Sequence, residues 1–151
     1  MNLRERLDAD MKQALRSRDS LRLETIRGAR GAIRNKEIEL RESLDDDGIV
    51  RVLRTLVKQR AEAIEQYGAA GRPDLAEKEA AEKAVLEGYL PAAPDDAEVE
   101  RVLREVIAQV DAAGPRDMGR VMKPALERLG PAADGKLVSQ TARRLLAEGA
   151  G

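Results

Sequence analysis

The 151-residue sequence has no cysteine, no histidine, no tryptophan and no phenylalanine, and its only aromatic side chains are Tyr67 and Tyr89. Each absence removes a class of function. Without histidine there is no imidazole general base, no Ser-His-Asp or Cys-His triad and no histidine-ligated metal. Without cysteine there is no thiolate nucleophile, no zinc or iron–sulfur cluster and no disulfide. Platforms that stack single-stranded bases need aromatics that are missing here. No apolar run approaches the ~18 residues of a membrane-crossing helix. The opening Met1-Asn2-Leu3-Arg4-Glu5-Arg6 leads straight into an amphipathic pattern, without the apolar stretch of a secretory signal. The expectation is a cytoplasmic protein that works through shape and charge.

What is present is the vocabulary of helices. The apolar 42% is mostly Ala, Leu, Val, Ile and Met, enough for a buried core, and the 36% that is charged is rich in arginine and glutamate. The net charge of −1 conceals a polarised distribution. Residues 12–36 carry eight basic side chains against Asp19 and Glu24. Residues 74–111 carry eleven acidic against four basic, and residues 112–151 return to seven basic against four acidic. An acidic middle between two basic ends bears on partners and steering rather than on fold.

Apolar periodicity predicts seven helices and no strand. Leu3, Leu7, Met11, Ala14 and Leu15 share the inner face of the first, and Ser17 or Asp19 caps the second. That helix runs to about Arg41 with Ile26, Ala29, Ile33 and Leu40 inward. Ser43-Leu44-Asp45-Asp46 reads as a capping box for a third helix, whose stripe is Ile49, Val52, Leu53, Leu56, Val57, Ile64 and Tyr67. Pro73 suits the first turn of a fourth, with Leu75, Val85, Leu86 and Tyr89 inward. Leu90-Pro91-Ala92-Ala93-Pro94 forbids continuous helix. Beyond it, Asp95 and Glu98 cap a fifth helix bearing Val99, Val102, Leu103, Val106, Ile107 and Val110. A sixth carries Met118, Val121, Met122, Ala125, Leu126 and Leu129 with a kink at Pro124, and a seventh carries Leu137, Val138, Thr141, Ala142, Leu145 and Leu146. The expected fold is all-α: an N-terminal four-helix lobe over residues 1–90, a proline linker, and a C-terminal three-helix tail over residues 95–151.

Catalytic chemistry has little to stand on. Asp45-Asp46-Asp47 is either a magnesium site or, more simply, a helix cap and dipole partner. Ser17, Ser20, Ser43 and Ser139 lack the context of an exposed nucleophile, and no phosphate-binding or dinucleotide-binding glycine loop is present. No intrinsic catalysis, cofactor or metal is expected. Two basic surfaces are the candidates. Arg27, Arg30, Arg34 and Arg41 project from one side of the second helix, either to follow a phosphate backbone or as a solvated face with Glu37 paired to Arg34 or Arg41. Arg116, Arg120 and Lys123 share a face of the sixth helix; Lys136, Gln140, Arg143 and Arg144 share one of the seventh. Gly119 between them reads as a close approach of a neighbouring helix or of a nucleic-acid strand. Together the two faces suit RNA read by shape and 2′-hydroxyls.

Four segments carry a resemblance: Leu3-x-x-Arg6-Leu7-x-x-Asp10-Met11-Lys12-Gln13-Ala14, then Gly71-Arg72-Pro73-Asp74-Leu75-Ala76-x-x-Glu79, then Tyr89-Leu90-Pro91. The last pairs Asp117-Met118-Gly119-Arg120-Val121-Met122 with Ala133-Asp134-Gly135-Lys136-Leu137-Val138. In order and spacing the chain resembles the GatB/YqeY family. The resemblance implies a bacterial protein whose last three helices are similar to the tail domain of the B subunit of the glutamine-dependent tRNA amidotransferase. It further implies tRNA, or a tRNA-handling amidotransferase or synthetase complex, as partner, with Arg120, Lys123 and Lys136 as RNA contacts. The kinase-like domain of that subunit and the Ser-Ser-Lys site of the amidase subunit are missing, so catalysis does not carry over. Family labels of carbon–nitrogen ligase activity with glutamine as amido donor find no residues here. Two other readings are an accessory to such a ligase, and a protein–protein adaptor or scaffold that never meets nucleic acid.

Overall fold

The computed structural model describes residues 1–149. Among the described residues there are seven α-helices, a 3-10 turn at Pro115–Asp117, and no strand. The chain divides into two compact units that meet in sequence between Leu90 and Pro91. Each unit has its own apolar cluster.

The first unit holds α1 (Leu3–Ser17), α2 (Ser20–Leu40), α3 (Asp46–Ala69) and α4 (Pro73–Glu87). Three of these starts are capped by side chains that satisfy an orphan backbone donor. Asn2 accepts from the Glu5 N–H at 2.8 Å, Asp19 from Arg22 at 3.2 Å and Asp45 from Gly48 at 2.8 Å. Ser43, expected in a capping box, lies outside α3; Asp45 is closer to the first turn and takes the role. Its neighbour Asp46 instead accepts the Leu3 N–H at 3.2 Å, fastening the start of α1 to the start of α3. Asp45 and Asp46 therefore work as cap and clasp. At the other ends, Arg18 and Arg41 adopt left-handed caps at φ 58° and 56° without a glycine to signal the turn.

Leu7, Ile26, Ile49, Leu53 and Leu86 are fully buried and form the centre of this core, with Tyr89 against them. Two residues placed inward by periodicity are not inward. Leu15 is 58% exposed and Leu40 is 43% exposed. Both lie in a last helical turn, where the chain leaves the core through a left-handed cap. Between α3 and α4, Arg60 pairs with Glu79 at 3.4 Å and Glu82 at 3.0 Å.

The second unit holds α5 (Asp96–Val110), α6 (Met118–Leu129) and α7 (Gly135–Gly149). Asp95 caps α5 by accepting the Glu98 N–H at 2.8 Å. Leu103, Val106, Val121, Val138 and Leu146 are fully buried at the centre of a three-helix core, and all five belong to the stripes expected for their helices. Helix α6 runs through Pro124 without ending.

Candidate binding surfaces

The tail motif is held together by local bonds before it can hold anything else. Asp117 accepts the N–H groups of Ala113 at 2.8 Å and Gly114 at 3.4 Å and pairs with Arg120 at 3.3 Å. These bonds hold its carboxyl below the usual aspartate range, the Ala113 amide first among them. Arg120 also donates to the Val110 carbonyl at the end of α5. Asp117 and Arg120 thus staple the α5–α6 connection. Asp134 does similar work before α7, accepting the Lys136 N–H on its carboxylate and the Val138 N–H on its carbonyl, both at 3.0 Å. Gly119 is exposed, and a methyl group there would meet nothing within 4 Å, so neither a packed helix nor any other part of the described chain explains it.

The six tail cations are accordingly not one surface of equal members. Arg144 is spent inside the unit: it pairs with Glu148 at 3.2 Å and Glu100 at 3.4 Å, while Glu100 also binds Arg104 at 2.7 Å. Arg120 is spent in the staple. Arg116, Lys123, Lys136 and Arg143 are exposed, and their side chains make no hydrogen bond or ion pair among the described residues.

The basic face of α2 is also uneven. Arg30 pairs with Asp8 at 3.5 Å and donates to the Met11 sulfur at 2.9 Å. Arg27, Arg34 and Arg41 are exposed, and their side chains are unpaired among the described residues. Glu37 does not neutralise Arg34 or Arg41. It binds Arg4 of α1 at 2.6 Å and the Leu44 N–H at 2.8 Å, and these bonds, the Leu44 amide foremost, hold its carboxyl below the usual glutamate range. A partner 33 residues away decides the matter, which no helical spacing could announce.

Two concavities flank α2, and sequence reading found neither. A cleft between α1 and α2 is lined by Arg4, Arg30, Arg34 and Glu37 over Leu7 and Ile33. On the other side, α2 and α3 enclose a groove of about 610 Å³ whose walls include Leu40, Leu44, Val52 and Leu56, with Lys36, Glu39 and Arg51 at its edge. Gly48 belongs to the same groove, and space there is tight: a methyl group would lie 2.9 Å from the Leu44 side chain and 3.3 Å from the capping Asp45 carboxylate, so Leu44 would have to shift. Among the described residues no group of three or more acidic side chains is placed to hold a metal ion.

Comparison with known proteins corrects the functional expectation. A family model described as Yqey-like protein matches residues 4–146, so the resemblance runs through both units and not the tail alone. A relative from Pyrenophora tritici-repentis is 30% identical over 138 residues, covering 89% of this chain and 76% of its own. Another from Kluyveromyces lactis is 40% identical over 89 residues, 58% of this chain and 48% of its own. A third from Saccharomyces cerevisiae is 32% identical over 95 residues, with 62% and 51% covered. All three carry the name "Altered inheritance of mitochondria protein 41, mitochondrial". The chain spans between about half and about three quarters of the length of these relatives. Their name overturns the expectation of a bacterial, tRNA-binding or amidotransferase-associated protein, and their mitochondrial designation overturns the cytoplasmic one. Part of the motif behind the first expectation has work inside the unit. The tail residues that carried the amidotransferase likeness include Asp117, Arg120 and Asp134, whose bonds close turns within the unit. With the model spanning nearly the whole chain, this protein belongs to the Yqey-like protein family.

Proposed function

We propose that the protein is a docking module for another protein, and that the groove between α2 and α3 receives the apolar face of a partner's amphipathic helix. The observation that carries this is Leu40, 43% exposed beside Leu44, Val52 and Leu56 in a groove that Asn35, Thr55 and Gln59 also line. Leaving such a side chain in water gives up the stabilisation of burial, which a docked helix returns. Helix-in-groove binding reads apolar anchors along one helical face, and Leu40, Leu44, Val52 and Leu56 offer pockets for them. Charge at the edge selects the partner. Lys36 is countered by Glu39 at 3.3 Å, while the exposed Arg51 side chain is unpaired among the described residues, so the edge is net positive and favours a helix with acidic flanks.

The same reading takes residues 1–90 and 95–151 as two domains on a Pro91–Pro94 linker, each with a separate core to support it. The tail's unpaired Arg116, Lys123, Lys136 and Arg143 then form a second positive surface for an acidic protein partner. The test is affinity capture with the full chain under nuclease treatment, followed by crosslink mapping. Crosslinks are expected on the α2–α3 groove, with capture abolished by Leu40→Asp and retained by Ile38→Asp, since Ile38 is 66% exposed but outside the groove. Loss of capture with nuclease, or full capture by Leu40→Asp, sinks the reading.

A further inference from the structure

We infer that the cleft between α1 and α2 is a binding site for a small organic phosphate, separate from the docking groove. The cleft encloses about 410 Å³, the size of a small-molecule site. Its floor is apolar, with Leu7 and Ile33 buried beneath it. Three guanidinium groups stand around it: Arg4 from α1, and Arg30 and Arg34 from α2, the last two side by side at helical spacing.

These groups are not equivalent, and the differences make a site. Arg4 is held in place by Glu37 at 2.6 Å and 3.4 Å and donates to the Leu44 carbonyl at 3.2 Å. Arg30 is braced by Asp8 and by the Met11 sulfur. The Arg34 side chain makes no hydrogen bond or ion pair among the described residues and has its whole donor fork to offer. Arg34 is the free donor of the cleft, while Arg4 and Arg30, already paired as Arg120 and Arg144 are, fix its walls and add their positive field.

Charge decides the ligand class. Arg4, Arg30, Arg34 and the Lys12 that shares Asp8 with Arg30, set against the carboxylates of Glu37 and Asp8, leave the cleft and its braces at 2+. A phosphate monoester carries ≈ −1.5 to −2 at pH 7 and matches it, with oxygens suited to bidentate arginine. A carboxylate would leave one positive charge unanswered. The apolar floor calls for an attached apolar group rather than bare phosphate. Gly31 also borders the cleft, exposed in mid-helix, and a methyl group there meets nothing within 4 Å. Glycine at such a position costs roughly 1 kcal/mol of helix stability relative to alanine, and what it secures here is an open mouth.

The test is titration of the isotope-labelled full chain with phenyl phosphate at fixed ionic strength, read by amide shifts and calorimetry. Saturable binding is expected, with shifts centred on residues 4, 30, 31 and 34. Inorganic phosphate and phenylacetate should bind more weakly. Arg34→Gln should weaken phenyl phosphate about tenfold or more, the scale of a lost charge-assisted hydrogen bond. Gly31→Gln should block the cleft while leaving helix content intact, and Leu40→Asp should leave binding unchanged, so that cleft and groove succeed or fail independently. Shifts spread equally over Arg116 and Arg143, or equal affinity for Arg34→Gln and the parent, would overturn the assignment.

Discussion

Tyr89 shows how much one side chain decides in a protein with almost no aromatics. It is 4% exposed and its hydroxyl donates to the Asp10 carboxylate at 2.5 Å. Asp10 pairs with Arg22 at 3.3 Å, and the Arg6 guanidinium lies 5.1 Å over the tyrosine ring. One residue thereby ties α1 and α2 to the chain just beyond α4. Burial, and then the Asp10 hydrogen bond, push the hydroxyl up to about 12 from its usual 10.0. The folded state therefore keeps the proton longer than the unfolded one. The stability this contributes is complete below pH 10 and is lost as pH rises toward 12. Tyr89→Phe should cost about 1–2 kcal/mol at neutral pH in chemical denaturation. It should also flatten the alkaline loss of stability; an unchanged alkaline limb would refute the assignment. The sequence marked Tyr89 as inward, and rightly. Its partner 79 positions away was not legible, because nothing local links Asp10 to a tyrosine across three helices.

At the scale of elements, glycine has opposite meanings in neighbouring helices. Gly31 in α2 faces open space, whereas Gly48 in α3 lies under Leu44 and beside its capping aspartate. Gly31→Ala should raise stability by about 0.5–1 kcal/mol through helix propensity. Gly48→Ala should lower it by about 1–3 kcal/mol, the usual cost of overpacking. Thermal melts of the two variants test this, and shifts of the same sign would contradict it. Helix starts were more legible than helix ends. Asp95 and Pro73 advertise their positions through side-chain chemistry, and both sit where their chemistry predicts. Arg18, Arg41 and Asp111 end their helices in the left-handed region, where glycine is the usual signal, so Leu15 and Leu40 were read as core one turn too far.

For the whole molecule, two separate apolar clusters set the expected behaviour. Residues 1–90 and 95–151, expressed apart, should each fold with helical circular dichroism close to their share of the full chain. Leu103→Ala, which opens the second core, should cost about 2–5 kcal/mol there while protection from hydrogen exchange in α1–α4 stays unchanged. Uniform loss of protection across both units would instead mark one cooperative domain.

The sequence by itself determined that this protein is helical, that α5, α6 and α7 bury the stripes they do, and that its family is Yqey-like. Periodicity, caps and ordered motifs are written in neighbouring residues, and neighbouring residues are enough to read them. Only the tertiary structure decided which charges are available. Arg144 and Arg120 looked like Arg143 and Lys123 in the sequence, yet the first two are consumed by partners on α5 or in the turn before α6 and the others are not. The cleft and the groove arise where α1 and α3 flank α2, from residues up to 33 and 27 positions apart. An ion pair or a concavity is a relation between distant segments, fixed by packing and absent from any one helix.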